Sequence, residues 1–536
     1  MDNPRDNEII EFLDNLLGQN SYKISKIAGD ASFRNYSRIS QDKKSYMLMD
    51  SPPEVESNHV FFQIANHLKS HEINSPKIFG HDLDQGLLLL EDFGDISFQE
   101  NNSNGINISL YKEAIKIIKN IQAIEPDNNI YADYSRDILL NEMRLFSDWY
   151  LDKGSLDDRV ESSYEVILKG IRNSNDCIVH RDFHSRNLMI HQKSIGVIDF
   201  QDALIGPRSY DLVSLLYDAY IEISEKHREE LIQYFIEISD IKISYSKFRE
   251  EFDFVAIQRL LKVLGIFKRL SLRDKKHQYL FDIPLVENYL LQILSKYPDL
   301  EGLKNLILEE KDKKAIMILA AGKGERMMPL TESIPKPLLK IGDKALIDYS
   351  IDSALNAGFS KIVVNTFYLG NLISSHLSDR YQDIVISEEK SPLETAGGII
   401  NALAHLGNNP FAVMNSDVYT NFRLEKLLLP ENSLAHLVLV KNPEHNPEGD
   451  FSLDEQSFIN ITSKNQYTFS GIGIYHPELF RDFIHCTGKL PLYKVLLQAI
   501  DNQQVTGELF DDVWFDVGTP ERLKNINKFQ AESNNL

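Results

Sequence analysis

The first 308 residues show two patterns of apolar spacing. Up to residue 95, a helical spacing over 9–17 is followed by short apolar runs at 46–48 and 87–90, which predict a small lobe of mixed helix and strand. From residue 96 to residue 308 the spacing is mainly helical, with a loop and two short strand-like runs near 179–200. The pattern therefore predicts two lobes, 1–95 and 96–308.

The period of the apolar pattern changes at residue 315. Strand-like runs at 315–319, 362–364 and 411–414 alternate with helical segments, which predicts βαβ units and a largely parallel sheet over 315–536. A run of charged residues, 309–314, stands directly before the first of these strands. We expect this run to be a solvated linker, so that it marks the domain boundary.

The composition is that of a globular protein with several lobes, and its net charge argues against nucleic acid and anionic membranes as ligands. Of 536 residues, 43% are hydrophobic and 25% charged, and 57 Lys and Arg against 79 Asp and Glu give a net charge of −22. A chain with this much negative charge repels nucleic acid and anionic membranes. Any phosphate group that it binds must therefore be held by a few local donors. Only two cysteines occur, and we see no signal segment or membrane-spanning run. We expect a cytoplasmic protein that acts on small molecules; its oligomeric state is left open.

The first group of polar residues with a chemical meaning begins after the apolar pair at 178–179. Asp182 is followed by Asn187 five residues later, and Asp199 ends the next apolar run. Phosphoryl transfer needs this arrangement, because the first Asp deprotonates an acceptor hydroxyl while the Asn and second Asp hold the Mg²⁺ that bridges ATP phosphates. Each residue alone is equally compatible with capping a turn. The spacing of all three favours catalysis.

Two further segments fit ATP binding. The segment 29–34 predicts a turn that covers phosphates, with Gly29, Ser32 and Arg34 as nucleotide-binding residues. Glu91 follows the apolar run 87–90, where a hinge between two lobes would contact adenine. Asp211 starts an apolar helix, and we interpret it as a structural cap.

These residues resemble the aminoglycoside phosphotransferase and choline kinase superfamily over about 20–300. The resemblance implies a bilobal, protein-kinase-like fold. Within it, segments 29–38 and 49–53 are similar to the anomeric sugar kinases of bacterial cell-wall recycling, which phosphorylate the C1 hydroxyl of N-acetylmuramate or N-acetylglucosamine. One feature departs from the family: the strand that normally carries a phosphate-binding Lys has no Lys at 46–50. Either Lys44 or Arg34 replaces it, or no residue does and the lobe is a pseudokinase.

A second group of motifs follows the strand-like run 315–319. Gly322 and Gly324 allow the backbone to approach a triphosphate closely. Arg326 and, in a Pro-Lys-Pro segment, Lys336 supply the fixed positive charge that nucleotidyl transfer requires, and we assign both to catalysis. The absence of a third glycine argues against a dinucleotide fingerprint.

Two carboxylates complete this second site. Asp417 follows the strand-like run 411–414, and Asp516 lies near the end of the chain, so that only the fold can bring them together. Together they would hold one Mg²⁺ against the α-phosphate. Glu394 and Gly397 belong to a segment that predicts a tight turn for the nucleobase; the alternative is a simple helix start.

Residues 315–525 resemble the sugar-1-phosphate nucleotidyltransferases, which have a Rossmann-like α/β fold. The resemblance implies that a sugar phosphate oxygen attacks the α-phosphorus of a nucleoside triphosphate and releases pyrophosphate. Segments 393–398 and 442–451 are similar to the N-acetylmuramate α-1-phosphate uridylyltransferase branch. This branch implies UTP as substrate and Asn415 and Asp450 as sugar-binding residues. His445 either faces the sugar or is solvated.

The two halves make chemical sense in series, because the first would make the sugar 1-phosphate that the second consumes. The sequence therefore predicts a bifunctional, Mg²⁺-dependent enzyme that uses ATP and then UTP to convert N-acetylmuramate into UDP-N-acetylmuramate. Two alternatives stay open. One is a choline kinase joined to a phosphocholine cytidylyltransferase, and the other is a kinase-like lobe that only regulates a sugar nucleotidyltransferase.

Overall fold

The computed structural model describes residues 4–19, 21–27, 34–52, 58–102, 105–151, 157–171, 175–192, 194–239, 241–462 and 464–533. The chain divides into two compact units, one formed by Met1–Ile266 with Leu285–Asn305 and the other by Phe267–Pro284 with Leu306–Leu536. None of the helices within the described ranges is long and apolar enough to cross a membrane.

The strands of the first unit are β1 (Lys23–Lys26), β2 (Asn35–Gln41), β3 (Lys44–Asp50), β4 (Ile78–Asp82), β5 (Leu87–Glu91), β6 (Asn175–Val179), β7 (Leu188–His191), β8 (Ser194–Val197) and β9 (Leu204–Pro207). The helices that begin before residue 305 are α1 (Pro4–Leu17), α2 (Asn58–Ser70), α3 (Phe98–Asn101), α4 (Ile108–Gln122), α5 (Arg136–Leu145), α6 (Asp158–Gly170), α7 (Tyr210–Leu216), α8 (Glu225–Ile238), α9 (Tyr245–Asp274), α10 (Ile283–Leu294) and α11 (Glu301–Lys311). A π-helical turn, Phe146–Tyr150, continues α5, and 3₁₀ turns span His277–Asp282 and Pro298–Leu300.

An antiparallel five-stranded sheet with the order β1-β2-β3-β5-β4 forms the N-terminal part of the first unit. Leu87 to Leu90 are all buried on β5, because this central strand is covered on both faces. The strand ends at Glu91, so the chain leaves the sheet at the predicted hinge.

The rest of the first unit is mainly helical, as the apolar spacing predicts. Two short antiparallel ladders, β6 with β9 and β7 with β8, flank the loop that carries Asp182. Residues 252–265 of α9 are almost all buried around the whole circumference of the helix, which is typical of a helix at the centre of a core.

The strands of the second unit are β10 (Ala315–Leu319), β11 (Lys340–Ile341), β12 (Lys344–Ala345), β13 (Lys361–Thr366), β14 (Ile384–Glu388), β15 (Phe411–Asn415), β16 (Val418–Thr420), β17 (Ala435–Lys441), β18 (Ser452–Leu453), β19 (Ile459–Asn460), β20 (Tyr467–Tyr475), β21 (Val505–Leu509) and β22 (Trp514–Asp516). Its further helices are α12 (Leu346–Asn356), α13 (Gly370–Arg380), α14 (Glu394–Leu406), α15 (Leu492–Asp501) and α16 (Pro520–Ser533). Short 3₁₀ turns span Glu325–Met327, Leu330–Glu332, Lys336–Leu338, Leu424–Lys426 and Pro477–Phe483.

A seven-stranded mixed sheet with the order β14-β13-β10-β15-β20-β17-β21 organises the second unit. Strands β14, β13, β10 and β15 are parallel, whereas β20 runs antiparallel to both of its neighbours. The carboxyl ends of β10, β13 and β15 therefore lie at one edge, which is where open α/β sheets bind their ligands.

The predicted linker 309–314 needs correction, because residues 309–311 form the last turn of α11. Glu310 is not solvated: its carboxylate accepts a hydrogen bond from Lys313 at 2.5 Å and lies 3.7 Å from Lys361. The run of charges therefore begins in a helix end at which Glu310 is paired with Lys313 and Lys361, while residues 309, 312 and 314 are exposed. Its composition alone could not distinguish this from a free linker.

Gly265 lies in the interior of α9, where a glycine costs about 1 kcal/mol relative to alanine. The geometry explains the glycine, because a Cβ atom at this position would lie 2.3 Å from the backbone carbonyl group of Leu145. Helix α9 and the end of α5 can approach this closely only without a side chain at residue 265.

We predict that Gly265→Ala lowers the free energy of unfolding by roughly 1–3 kcal/mol, because the backbone at Leu145 must move. Gly302→Ala is the matched control: its Cβ would lie 3.5 Å from the flexible Arg159 side chain, an ordinary contact. We expect it to be neutral or to stabilise by up to about 1 kcal/mol. Calorimetric unfolding of both variants measures the difference, and equal transition temperatures for Gly265→Ala and the parent would contradict the prediction.

Candidate active sites

The loop between β6 and β7 is held by a buried carboxylate. Asp211 accepts hydrogen bonds from the backbone N–H groups of His180 at 2.8 Å and Arg181 at 2.9 Å. Arg181 has φ +73°, an unfavourable conformation that these bonds help to fix. Burial raises the pKa of Asp211 to about 6. Asp211 is therefore structural, as we interpreted it, but its carboxylate holds the loop that carries Asp182 and does not act as a helix cap.

Asp182 is surrounded by positive charge. Burial alone would raise the pKa of its carboxyl group, but the charges of Lys262, Arg259 and Arg181 outweigh this effect and hold the pKa well below its usual range. The group is consequently ionised at neutral pH, which is the state that a proton acceptor requires.

Lys262 and Arg181 converge on the buried carboxylate of Glu142. The Lys262 ammonium lies 2.9 Å from this carboxylate, and Arg181 also pairs with it. A second cation of α9, Arg259, donates to the Ser214 hydroxyl at 2.6 Å, which in turn donates to the carbonyl oxygen of Arg181 at 2.9 Å. We did not predict these residues. The available signal was two cations within the mainly apolar stretch 254–267 of α9.

Asn187 and Asp199 lie together beside Asp182. The Asn187 amide donates to the carbonyl oxygen of Asp182 at 3.0 Å, and its nitrogen is 3.4 Å from the Asp199 carboxylate. Asp199 has φ +65° and its other oxygen accepts from Gln201 at 2.9 Å. An amide and a carboxylate oxygen fit Mg²⁺, which keeps most of its own waters and so needs few protein ligands.

A cleft of about 410 Å³ opens next to this pair. It is lined by Asn187, Asp199 and the hinge residues 91–95, so it joins the predicted adenine position to the predicted metal position. Glu91 is anchored there, since its carboxylate accepts from the backbone of Lys77 at 3.1 Å. Gly29 and Ser32 lie outside the described residues.

Arg34 lines this cleft and Lys44 does not. Only 4% of Arg34 is exposed, and its guanidinium lies 5.5 Å from the centre of the Phe61 ring. Lys44 is exposed at the start of β3, and the β3 side chain that reaches the cleft is Met47. Of the two candidate substitutes for the strand Lys, Arg34 is therefore the one that the fold brings to the nucleotide cleft.

The second unit contains a larger cleft, of about 570 Å³, at the carboxyl edge of its sheet. Gly322, Gly324, Arg326 and Lys336 all line it. Gly324 has φ +65°, and a Cβ atom there would lie 3.1 Å from the Cβ of Lys336. The glycine thus permits both the turn and the close approach of the Lys336 segment.

Asp417 and Asp516 are brought together by the pairing of β16 with β22. Val418 is opposite Asp516 in the register, and the backbone N–H of Val517 donates to the Asp417 carbonyl at 2.9 Å. Each carboxylate has a cation: Lys336 pairs with Asp417, and Arg522 pairs with Asp516. Asp417 lines the large cleft, whereas Asp516 lines the neighbouring depression. A pair of carboxylates supplies the oxygen ligands that Mg²⁺ prefers.

Two of the four residues predicted to bind the nucleobase or the sugar line the large cleft, and two do not. Glu394, which has φ +61°, and Asn415 line the large cleft. Gly397 is not among its lining residues; its Cβ would lie 3.0 Å from the Leu393 Cβ, so close packing accounts for this glycine. Asp450 does not line it either, because its carboxylate accepts from Phe469 at 2.8 Å and Asn446 at 3.1 Å.

His445 belongs to a neighbouring depression of about 370 Å³ that also contains Asp516 and Arg522. Its Nε2 is 2.9 Å from the Arg522 guanidinium and 3.7 Å from the Asp516 carboxylate. Burial and then the charges of Arg522 and Arg326 lower the pKa of His445. The imidazole is therefore neutral at pH 7 and lies beside the second site.

Comparisons with known proteins agree with this division. Residues 23–247 match the phosphotransferase enzyme family, and residues 315–533 match the nucleotidyl transferase family. The chain is 45% identical over 219 residues to an N-acetylmuramate alpha-1-phosphate uridylyltransferase of Neisseria meningitidis, covering 39% of this chain and 94% of the relative.

The first half has relatives of a different kind. An N-acetylmuramate/N-acetylglucosamine kinase of Neisseria meningitidis is 32% identical over 320 residues, which cover 56% of this chain and 93% of the relative. A kinase of the same name from Pseudomonas aeruginosa is 32% identical over 292 residues, which cover 52% of this chain and 86% of the relative. The chain thus belongs to two families: its first half is a member of the phosphotransferase enzyme family and its second half a member of the nucleotidyl transferase family.

Proposed function

We propose that this enzyme phosphorylates N-acetylmuramate at C1 with ATP and then transfers a uridylyl group from UTP to the product, giving UDP-N-acetylmuramate and pyrophosphate. The observation that carries the proposal is the combination within one chain. One half is related to N-acetylmuramate/N-acetylglucosamine kinases and the other to N-acetylmuramate alpha-1-phosphate uridylyltransferases, so the first product is the second substrate. N-acetylglucosamine is a second acceptor for the kinase on the same ground.

In the first step, Asp182 accepts the proton of the C1 hydroxyl as its oxygen attacks the γ-phosphorus of ATP, and ADP leaves. The cations around Asp182 keep it ionised for this role. Asn187 and Asp199 would hold Mg²⁺, which when bound neutralises charge on the phosphates. Arg34 takes the place of the absent strand Lys, because it lines the cleft together with Asn187 and Asp199. Arg38 lines the cleft too, but its guanidinium is paired with Asp92 and Asp95.

In the second step, a phosphate oxygen of the sugar 1-phosphate attacks the α-phosphorus of UTP, and pyrophosphate leaves without a covalent enzyme intermediate. Arg326 and Lys336 bind the triphosphate from the cleft wall. Asp417 and Asp516 would hold Mg²⁺, which when bound stabilises charge at the α-phosphate. Glu394 and Asn415 face the same cleft and contact the nucleobase and the sugar, respectively.

Both nucleotide substrates are abundant in the cytoplasm, and we place the enzyme there. The choline kinase alternative is not favoured, because the relatives of both halves act, by their names, on amino sugars or their phosphates. The regulatory alternative relied on the missing strand Lys, and in our proposal Arg34, which lines the cleft, supplies that charge.

The two activities should be separable by single substitutions. Asp182→Asn removes the proton acceptor, so we expect the kinase rate to fall about 100-fold or more while uridylyl transfer from supplied N-acetylmuramate α-1-phosphate is unchanged. Asp417→Asn should have the reverse effect, at about the same magnitude. Separate coupled assays for ADP and pyrophosphate measure each step. Loss of both activities in a folded single variant would contradict independent sites.

Arg34 can be tested against Lys44, the other candidate cation. Arg34→Met removes a charge at the phosphates and should raise the KM for ATP about tenfold or more, with Arg34→Lys less impaired. Lys44→Met is the matched control and should leave this KM unchanged, because the Lys44 side chain is exposed outside the cleft. Steady-state kinetics measure the KM for ATP of each variant. A rise in this KM for Lys44→Met alone would contradict the assignment of Arg34 as the substitute for the strand Lys.

A further inference from the structure

A short chain of buried polar groups runs beneath the cleft of the second unit. Asn365, at the end of β13, is 3% exposed, and Glu389, directly after β14, is 5% exposed. Both line the cleft, yet neither belongs to the phosphate loop or to the carboxylate pair. A buried carboxylate without a cation is costly unless hydrogen bonds compensate for it.

The donor and acceptor atoms of this chain are fixed by the backbone at each end. The N–H of Ala320 donates to Asn365 Oδ1 at 2.8 Å, which turns the amide nitrogen toward Glu389. That nitrogen donates to Glu389 Oε1 at 2.7 Å, and the N–H of Leu393 donates to Oε2 at 3.1 Å. Glu389 must therefore accept at both oxygens, which an ionised carboxylate does and an amide does not.

The two ends of the chain lie in two different segments that line the cleft. Ala320 immediately precedes the glycine-containing phosphate loop. Leu393 immediately precedes Glu394, whose φ of +61° is unfavourable for a residue other than glycine. The backbone N–H of Glu389 also donates to the Thr366 carbonyl at 2.9 Å, so the carboxylate projects from a point anchored to the sheet. The pair thus connects the phosphate rim to the Pro392–Thr395 rim.

Gly398 shows that the surrounding structure is fitted to this pair. A Cβ atom at residue 398 would lie 2.7 Å from Glu389 Oε1 and 3.0 Å from Asn365 Nδ2. Helix α14 can pack over the pair only because this position has no side chain. This close approach to Asn365 and Glu389 explains why residue 398 is a glycine.

We propose that Asn365 and Glu389 are positioning residues for UTP: they fix the separation between the loop that binds its triphosphate and the turn that faces its base. This inference rests on the proposed function, since it takes UTP to be the nucleotide of this cleft. A nucleotide that contacts two rims at once binds more tightly when the rims are already held apart at the correct distance, because binding then does not pay for ordering them.

The donor pattern allows a swap that keeps every bond. Glu389→Gln alone places its amide nitrogen against either the Asn365 amide or the Leu393 N–H, and both of these groups are donors. Asn365→Asp alone places two carboxylates side by side. The double variant N365D/E389Q restores the match, because the carboxylate introduced at position 365 would accept from Ala320 and from the amide introduced at position 389. The oxygen of that new amide would accept from Leu393. Asn401→Asp is the matched control: Asn401 lies nearby on α14, bonded to Ser387 at 3.0 Å, and does not line the cleft.

We expect each single variant to raise the KM and the equilibrium dissociation constant for UTP about tenfold or more. The double variant should return both to within about threefold of the parent, and Asn401→Asp should leave both unchanged. Uridylyl transfer with supplied N-acetylmuramate α-1-phosphate and calorimetric titration with UTP and Mg²⁺ give these values. Thermal unfolding and circular dichroism of each variant report whether the second unit, which carries the substitutions, is folded.

Three results would overturn the inference. The pair would have only a structural role if the single variants lost kcat or thermal stability while their KM and dissociation constant for UTP stayed at the parent values. The donor and acceptor account would be wrong if the double variant were no better than the single variants. A parent enzyme that neither binds nor turns over UTP would overturn the proposed function together with this inference, and that result is distinct from the first two.

Discussion

A phosphate-transfer site has to hold carboxylates next to anionic phosphates, and the repulsion between them constrains both halves of this protein. Asp417 pairs with Lys336, Asp516 pairs with Arg522, and Asp182 is surrounded by the cations of α9 and its own loop. The chain as a whole carries a net charge of −22, so long-range attraction does not bring nucleotides to it. Under the proposed function, local cations must compensate for this charge, and the fold must place each one beside its carboxylate.

Both units place these groups by the same physical means, in which a buried acceptor ties down the backbone of a functional loop. Asp211 accepts from two consecutive N–H groups of the Asp182 loop. In the second unit, Asn365 and Glu389 accept from the N–H groups of Ala320 and Leu393, which belong to two segments that line the cleft. Such groups touch no substrate in our account. They set the geometry in which the cations and carboxylates act, so their loss is expected to alter substrate binding as well as stability.

Much of this arrangement follows from local sequence, and that part was predictable. The change from helical spacing to alternating strand and helix correctly indicated a largely parallel sheet after a mainly helical region. The motif resemblances correctly indicated the two families. Asp182, Asn187 and Asp199 are close in sequence and lie on one loop and the strand pair beside it, so their spacing predicts their proximity. The approach of Asp417 to Asp516 depends instead on the pairing of β16 with β22, which the motifs suggested but could not show.

The rest depends on contacts between distant segments. Lys262 lies in a buried helix far from Asp182 in sequence, and nothing in its neighbourhood indicates that it lies beside the catalytic loop. Asp450 and Gly397 belong to segments that resemble a uridylyltransferase. The Asp450 carboxylate, however, accepts a hydrogen bond from the backbone of β20, and close packing against Leu393 accounts for Gly397. Glu310 was expected in a linker and is neutralised at a helix end. In each case the structural role of the residue depends on the distant residue that it contacts, and the sequence around it does not reveal that contact.

The most direct test of the account is mass spectrometry of a single reaction that contains the intact enzyme, Mg²⁺, ATP, UTP and N-acetylmuramate. Parallel reactions replace the sugar by N-acetylglucosamine, or replace the sugar and UTP by choline and CTP. We predict UDP-N-acetylmuramate, with the sugar 1-phosphate appearing before it and no CDP-choline. Formation of the UDP-sugar only when the sugar 1-phosphate is supplied would contradict the claim that both steps are catalysed by this chain.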